Sequence, residues 1–123
     1  MHHLCALDDV VPGEGLRVTT TSPPVAVFRT DDDEVYVVDD TCTHQDASLA
    51  DGYLEGCWVE CPLHESRFDL RTGAVDQPPA KRGVRTHAAQ VVDGQVWAEL
   101  STDAPNLPPG VAGSTAVASG VTA

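Results

Sequence analysis

Two short segments constrain this chain more than anything else in it: Cys42-Thr43-His44 and, after sixteen intervening residues, Cys61-Pro62-Leu63-His64. Each supplies one thiolate and one imidazole from a loop, so the fold must let two separate loops serve one site. Four core residues without a metal would explain the pattern badly, because two histidines in loops rich in Gly and Asp are poor core material. Cys5 and Cys57 complete the set of four cysteines. With no secretory leader visible in front of them, they point to metal or redox chemistry before structural disulfides.

The donor set narrows the metal. Two irons bridged by two sulfides need four protein ligands, and Rieske centres put both cysteines on one iron and both histidines on the other. Paired C-x-H and C-x-x-H loops suit that geometry, since each loop can reach both metals. The candidate ligands of one [2Fe–2S] cluster are therefore Cys42, His44, Cys61 and His64. Two ferric ions, two sulfides and two thiolates sum formally to zero, so reduction adds the first negative charge. That places the potential in the range of roughly −150 to +300 mV. The alternative is a structural Cys2His2 zinc module with no redox role. Zinc sites commonly keep cysteines together as C-x2–4-C and histidines as H-x3–5-H, and the single residue between Cys42 and His44 fits this poorly.

The rest of the chain reads as short strands. Val-rich alternating segments at 16–20, 25–30 and 35–39 are separated by Ser22-Pro23-Pro24 and by Asp31-Asp32-Asp33. Segments 84–92 and 95–100 flank Asp93-Gly94, a two-residue hairpin signal. No window carries a clean helical stripe. At 123 residues the chain has room for one domain. The expected fold is all-β, a small sandwich or partly open barrel over residues 1–100. Within it, residues 41–80 form a cluster-binding insertion with strand candidates at 53–55 and 58–60. Arg71-Thr72-Gly73 reads as a tight turn, and Gln77-Pro78-Pro79 as a stiff irregular segment. Residues 101–123, without aromatic or basic residues, read as a disordered tail.

Charge excludes some partners and favours others. Nineteen Asp and Glu against seven Lys and Arg give a formal net charge of −12. Such a field repels phosphate backbones, which argues against nucleic-acid binding, and it favours a partner with a basic face. Residues 1–7 lack the basic start and long apolar stretch of a signal peptide. No apolar run approaches the roughly 18 residues needed to span a membrane. The expected protein is a cytoplasmic monomer without a membrane segment.

The run from Cys42 through Gly56 (CTHQDASLADGYLEG) and the run from Glu60 through Gly73 (ECPLHESRFDLRTG) resemble Rieske ferredoxins. More narrowly, they are similar to the ferredoxin components of aromatic-ring-hydroxylating dioxygenases, including those acting on phenylpropionate, cinnamate or biphenyl. Pro78-Pro79-Ala80 also matches, and the resemblance covers roughly residues 4–100. It implies a Rieske β-sandwich with a small cluster-binding subdomain. It further implies a carrier with no substrate site, passing electrons from a flavoprotein NAD(P)H reductase to a terminal oxygenase in aromatic hydrocarbon catabolism. Rieske proteins of cytochrome complexes carry a disulfide between the cluster loops, where this chain has Ala47 and Leu63. A Rieske oxygenase subunit would continue into a catalytic domain, for which the 23 residues after Leu100 are too few. The second functional reading is a Rieske-like small subunit of a nitrite reductase-type complex.

Several residues carry their own expectations. High-potential relatives place a serine two residues and a tyrosine four residues after the second histidine; here these are Ser66 and Phe68. Phe68 cannot donate, which argues for a low potential, whereas Ser66 is either a donor to a cluster sulfur or a solvated loop serine. Cys5 and Cys57 read as small buried hydrophobes, Trp58 and Trp97 as core or rim packing, and His87 as a satisfied or surface histidine. His2 and His3 read as disordered terminal residues. Gln45, Asp46, Leu63 and Glu65 flank the ligands and would either rim a partner contact or merely close the loops.

Overall fold

The computed structural model describes residues 1–43, 46–63, 66–76 and 82–108. Among these, nine strands form two antiparallel sheets. The strands are β1 (His2–Ala6), β2 (Glu14–Val18), β3 (Val25–Arg29), β4 (Val35–Asp39), β5 (Tyr53–Glu55), β6 (Trp58–Glu60), β7 (Arg67–Asp69), β8 (Thr86–Val92) and β9 (Gln95–Glu99). Single 3-10 turns occupy Leu7–Asp9 and Leu49–Asp51. The large sheet has the order β1-β9-β8-β4-β3-β2, and the small one β5-β6-β7.

The centre of the large sheet is apolar on both faces, and this decides the architecture. Along β3, Val25 and Val27 join one core cluster while Ala26 and Phe28 join another. Val37 and Val38 on β4 divide in the same way. Alternate residues of a strand point to opposite faces, so Val25-Ala26-Val27-Phe28 is an apolar run because it meets protein on both sides. One face is covered by Leu4, Cys5 and Val10 from the first ten residues and by Val96 and Ala98 from β9. The other receives the insertion, through Leu49, Val59, Phe68 and Leu70, and includes Cys42 and Cys61.

The turns form where their residues require. Asp93 and Gly94 both have positive φ, 50° and 73°, and join β8 to β9 with Val92 opposite Gln95. Asp33, at φ 64°, closes the β3–β4 turn, where Thr30 N–H donates to Glu34 O and Glu34 N–H donates back to the Thr30 hydroxyl oxygen. Arg71-Thr72-Gly73 is the expected tight turn, with Gly73 at φ 81° donating its N–H to Asp69 O at 2.6 Å.

Three expectations are corrected, and one strand that was not expected is added. His2 and His3 lie on β1, where His3 Nε2 meets Gln95 Oε1 at 2.7 Å and its ring packs edge-on against Trp97. This strand has adjacent buried residues, Leu4 and Cys5, across a register shift, so no alternation announces it. Strand β7, which holds two charged residues in three, lacks the β-branched signature and pairs through Phe68 opposite Val59. Strand β8 begins at Thr86, two residues after the predicted start. Finally, residues 101–108 pack on the domain. Leu107 is buried, Asn106 Nδ2 donates to Gly83 O at 3.0 Å, and Arg85 Nη1 donates to Asp103 O at 2.7 Å. Backbone hydrogen bonding anchors this segment, and composition does not report it. The remainder of the predicted tail, residues 109–123, lies outside the described residues, as does Gln77-Pro78-Pro79.

Candidate metal centre

Both cysteines sit at the end of a strand. Strand β4 leads through Asp40 and Thr41 to Cys42, and β6 leads directly to Cys61. The two loops that follow are closed by the same bond. Cys42 N–H donates to Ala47 O and Cys61 N–H to Ser66 O, each at 2.9 Å and each five residues on. Thr41 also bridges Ser48, after which the first loop returns, and β7 begins immediately after Ser66. Two unrelated spacings, C-x-H and C-x-x-H, thus produce loops of equal span.

Each loop runs from the core to the surface. Cys42 and Cys61 are 0% and 1% exposed and belong to one core cluster, while Asp46 and Leu63 are exposed, Leu63 at 63%. Neither cysteine is in a disulfide. His44 and His64, with Gln45 and Glu65, lie outside the described residues. Two buried thiols opening twin loops in a shared core, each followed within three residues by an imidazole in the sequence, fit the donor set of a [2Fe–2S] cluster.

The base of the first loop is held by a residue that the motif does not include. Asp40 Oδ1 accepts the Ser48 hydroxyl at 2.7 Å and the Ala50 N–H at 3.0 Å, and its backbone oxygen accepts Leu49 N–H at 2.7 Å. Arg17 Nε donates to the other carboxylate oxygen at 3.0 Å. Burial pushes the Asp40 carboxyl above the usual range, opposed by the Ser48 and Ala50 bonds and by Arg17. Nothing in the sequence distinguishes Asp40 from its neighbour Asp39, so this role was invisible there.

Glycine lets the two loop bases meet. Gly52 ends the Leu49–Asp51 turn, and a Cβ there would overlap the carbonyl of Glu60, the residue before Cys61. Beyond the second loop, Arg71 grips Asp69 through Nε at 3.0 Å and Nη2 at 2.9 Å, holding that carboxyl below the usual range. Thr43, next to His44 in the chain, donates its hydroxyl to Arg82 O at 2.7 Å.

The other singled-out residues divide. Ser66 is fully buried, so the solvated reading is wrong. Cys5 is buried as expected, whereas Cys57 is only half-buried, on the wall of a cavity of about 380 Å³ beside Asp31, Asp32 and Glu34. Trp58 is half-buried under the Arg67 guanidinium, 5.3 Å from its ring centroid. His87 is fully satisfied, with Nε2 on Asp39 Oδ1 at 2.8 Å and Nδ1 accepting Ser101 N–H at 2.9 Å.

Residues 1–88 match the model of the Rieske [2Fe-2S] domain. The chain belongs to that family. A Rieske-type [2Fe–2S] cluster is accordingly its cofactor. The ferredoxin component of the naphthalene 1,2-dioxygenase system of Pseudomonas putida is 38% identical over 96 residues, 78% of this Rieske chain and 91% of the relative. The anthranilate 1,2-dioxygenase ferredoxin subunit of Burkholderia cepacia is 41% identical over 95 residues, covering 77% and 87%. A solved complex of reduced oxygenase and oxidized ferredoxin in carbazole 1,9a-dioxygenase contains a chain that superposes with a TM-score of 0.71 at 35% identity, covering 79% of this Rieske chain and 99% of its own length. The all-β reading and the family resemblance both hold. Among the described residues no helix is long and apolar enough to cross a membrane.

Proposed function

We propose that Cys42, His44, Cys61 and His64 together hold the cluster, and that the chain carries single electrons from a flavoprotein NAD(P)H reductase to a terminal oxygenase of the aromatic-ring-hydroxylating class. The observation that carries this reading is the twin closure of the two loops on buried Cys42 and Cys61 within one core. When bound, the cluster accepts and returns one electron. The chain's own residues hold the two thiolates away from water, and Asp40, Gly52 and Thr43 fix the loops that present them. Asp46 and Leu63, exposed on the two loops, offer surface to a partner. Similarity to ferredoxin components of dioxygenase systems supports the carrier role and the oxygenase partner. The reductase, the absence of a substrate site, the monomeric state and a cytoplasmic setting complete the proposal. The near-equal identities to naphthalene- and anthranilate-system relatives leave the substrate to the oxygenase.

The purified protein is expected to contain two irons and two acid-labile sulfides per chain. When reduced it should give the low-average-g electron paramagnetic resonance signal of an iron with nitrogen ligands. His44→Ala and His64→Ala should each abolish assembly, since each removes half the protein ligation of one iron. One zinc per chain without labile sulfide would reject the cluster. A chain that elutes as a monomer and supports turnover of a reductase–oxygenase pair meets the carrier reading; obligatory assembly into a nitrite-reducing complex rejects it.

A further inference from the structure

We infer that residues 101–108 are a strap that positions the first cluster loop. The inference rests on the ligand assignment above and adds a part that the four-ligand motif does not contain. The strap is anchored on a buried charged group. Asp39, Arg85 and His87 are all largely buried, with Arg85 Nε 3.0 Å from Asp39 Oδ2 and His87 Nε2 2.8 Å from Asp39 Oδ1. Their remaining hydrogen-bond capacity goes to the strap's backbone. His87 Nδ1 accepts the Ser101 N–H, so the ring is the tautomer that carries its proton on Nε2 and donates it to Asp39. Arg85 Nη1 donates to Ser101 O at 3.3 Å and to Asp103 O at 2.7 Å. Burying an ion pair with a histidine is costly unless its polar atoms find partners, and the strap's backbone supplies three of them, Ser101 N–H, Ser101 O and Asp103 O.

From this anchor the strap runs to the cluster loop. Asn106 Nδ2 donates to Gly83 O at 3.0 Å, Arg82 Nη2 reaches Leu107 O at 3.4 Å, and the Leu107 side chain is buried. Residues 82–84 are thereby braced from one side. From the other, the Arg82 carbonyl takes the Thr43 hydroxyl and Val84 N–H donates to Gly73 O at 2.8 Å. Thr43 stands between Cys42 and His44, so the brace ends inside the ligand pair. Thr43 and the strap residues Asn106 and Leu107 are positioning residues, acting on the loop rather than on the cluster itself.

The test uses the full-length, cluster-loaded chain, with reduction potential and rate of iron loss to a chelator as readouts. Thr43→Val and the paired Asn106→Ala/Leu107→Ala variant should each speed iron loss roughly two- to ten-fold, the worth of one ordinary hydrogen bond. Each should also raise the potential, because a looser loop admits water that favours the charged, reduced cluster. Thr43→Ser keeps the hydroxyl and should restore wild-type values. Because strap and Thr43 act along one line of contacts, the triple variant should lose iron no faster than the faster of its parents. If the pair fails to fold, Arg82→Ala, which removes the guanidinium contact to Leu107 and keeps the carbonyl that takes the Thr43 hydroxyl, should act in the same direction to a smaller degree. A loaded wild type whose strap variants lower the melting temperature but leave potential and iron loss unchanged would overturn the strap while leaving the ligand assignment intact. Additive effects in the triple variant would do the same. A wild type without iron and labile sulfide would overturn the ligand assignment, and the strap with it.

Discussion

Arg17 on β2 donates to Asp40 at 3.0 Å, and the same carboxylate ties down the return of the first cluster loop through Ser48 and Ala50. One side chain therefore joins the large sheet to the loop that begins at Cys42. Asp40→Ala leaves three donors without their acceptor and should cost about 2 kcal/mol in urea unfolding of the loaded protein. Asp40→Asn preserves an oxygen for Ser48 and Ala50 and should lose less than half as much. Equal losses in the two variants would assign the effect to the Arg17 pair instead of the loop.

Gly52→Ala should damage the site without touching a ligand. The added methyl overlaps the Glu60 carbonyl, and Glu60 adjoins Cys61, so either β5 or the base of the second loop must shift. Overpacking of this kind costs roughly 1–3 kcal/mol. The expected result is a lower unfolding midpoint together with reduced iron content per chain.

Asp69 and Arg71 set part of the response to acid. Arg71 holds the Asp69 carboxyl below its ordinary value, so the ionised pair stabilises the fold above about pH 4, near the unfolded carboxyl pKa. That contribution disappears as pH falls through the lowered native value. Arg71 is more than half exposed, so solvent screens the pair and Arg71→Ala should lower the urea midpoint only slightly at pH 7. The gap between variant and wild type should close as pH drops below about 4. Urea midpoints at a series of pH values check this, and a gap that widens in acid would contradict the assignment.

Ser66 is enclosed at the point where the second loop closes, and its carbonyl already accepts the Cys61 N–H. Its hydroxyl is thus enclosed in the closure of the loop that Cys61, a proposed ligand, begins, away from water. Ser66→Ala should lower the reduction potential, since hydrogen bonds toward cluster sulfurs favour the reduced state. Voltammetry of the two proteins at one pH decides it; an unchanged potential means that the hydroxyl serves the local backbone.

The parts of this molecule that were legible in the sequence are those in which a side-chain type alone determines the outcome. Asp93-Gly94 makes its hairpin because both residues tolerate positive φ, and the Val-rich segments of β3 and β4 can only be strands. Cys42 and Cys61 stand out in the sequence by their spacing from a following histidine, and the fold places both in one core cluster. What escaped depends on backbone partners. Residues 101–108 dock through main-chain groups on Arg85 and His87, so a composition of small and polar residues looks the same docked or free. Asp40 differs from any surface carboxylate only in what surrounds it, and three-residue β7 is too short to show a period.

The last prediction concerns docking. Of the six described arginines, Arg17, Arg29, Arg67, Arg71 and Arg85 each pair with an aspartate, and Arg82 bonds a carbonyl. Few cations remain to offset the exposed carboxylates, so the surface field of this −12 chain is strongly negative. A partner with a basic face would be drawn to it, and the attraction should weaken as salt shortens the screening length to roughly 8–10 Å. Electron-transfer rates to the oxygenase are therefore expected to fall between low and moderate ionic strength. Asp46 is exposed on the first loop, whereas Asp32 lies at the β3–β4 turn, a strand's length from Cys42. Asp46→Lys should slow transfer more than Asp32→Lys, and the difference should shrink with added salt. The new positive charge near the cluster will itself raise the potential, so that change has to be measured and subtracted. If the two variants respond alike at every ionic strength, charge at the loop tip does not guide docking. Contact would then rest on Leu63, exposed beside Cys61, and Leu63→Ser should weaken binding to the same degree at low and high salt.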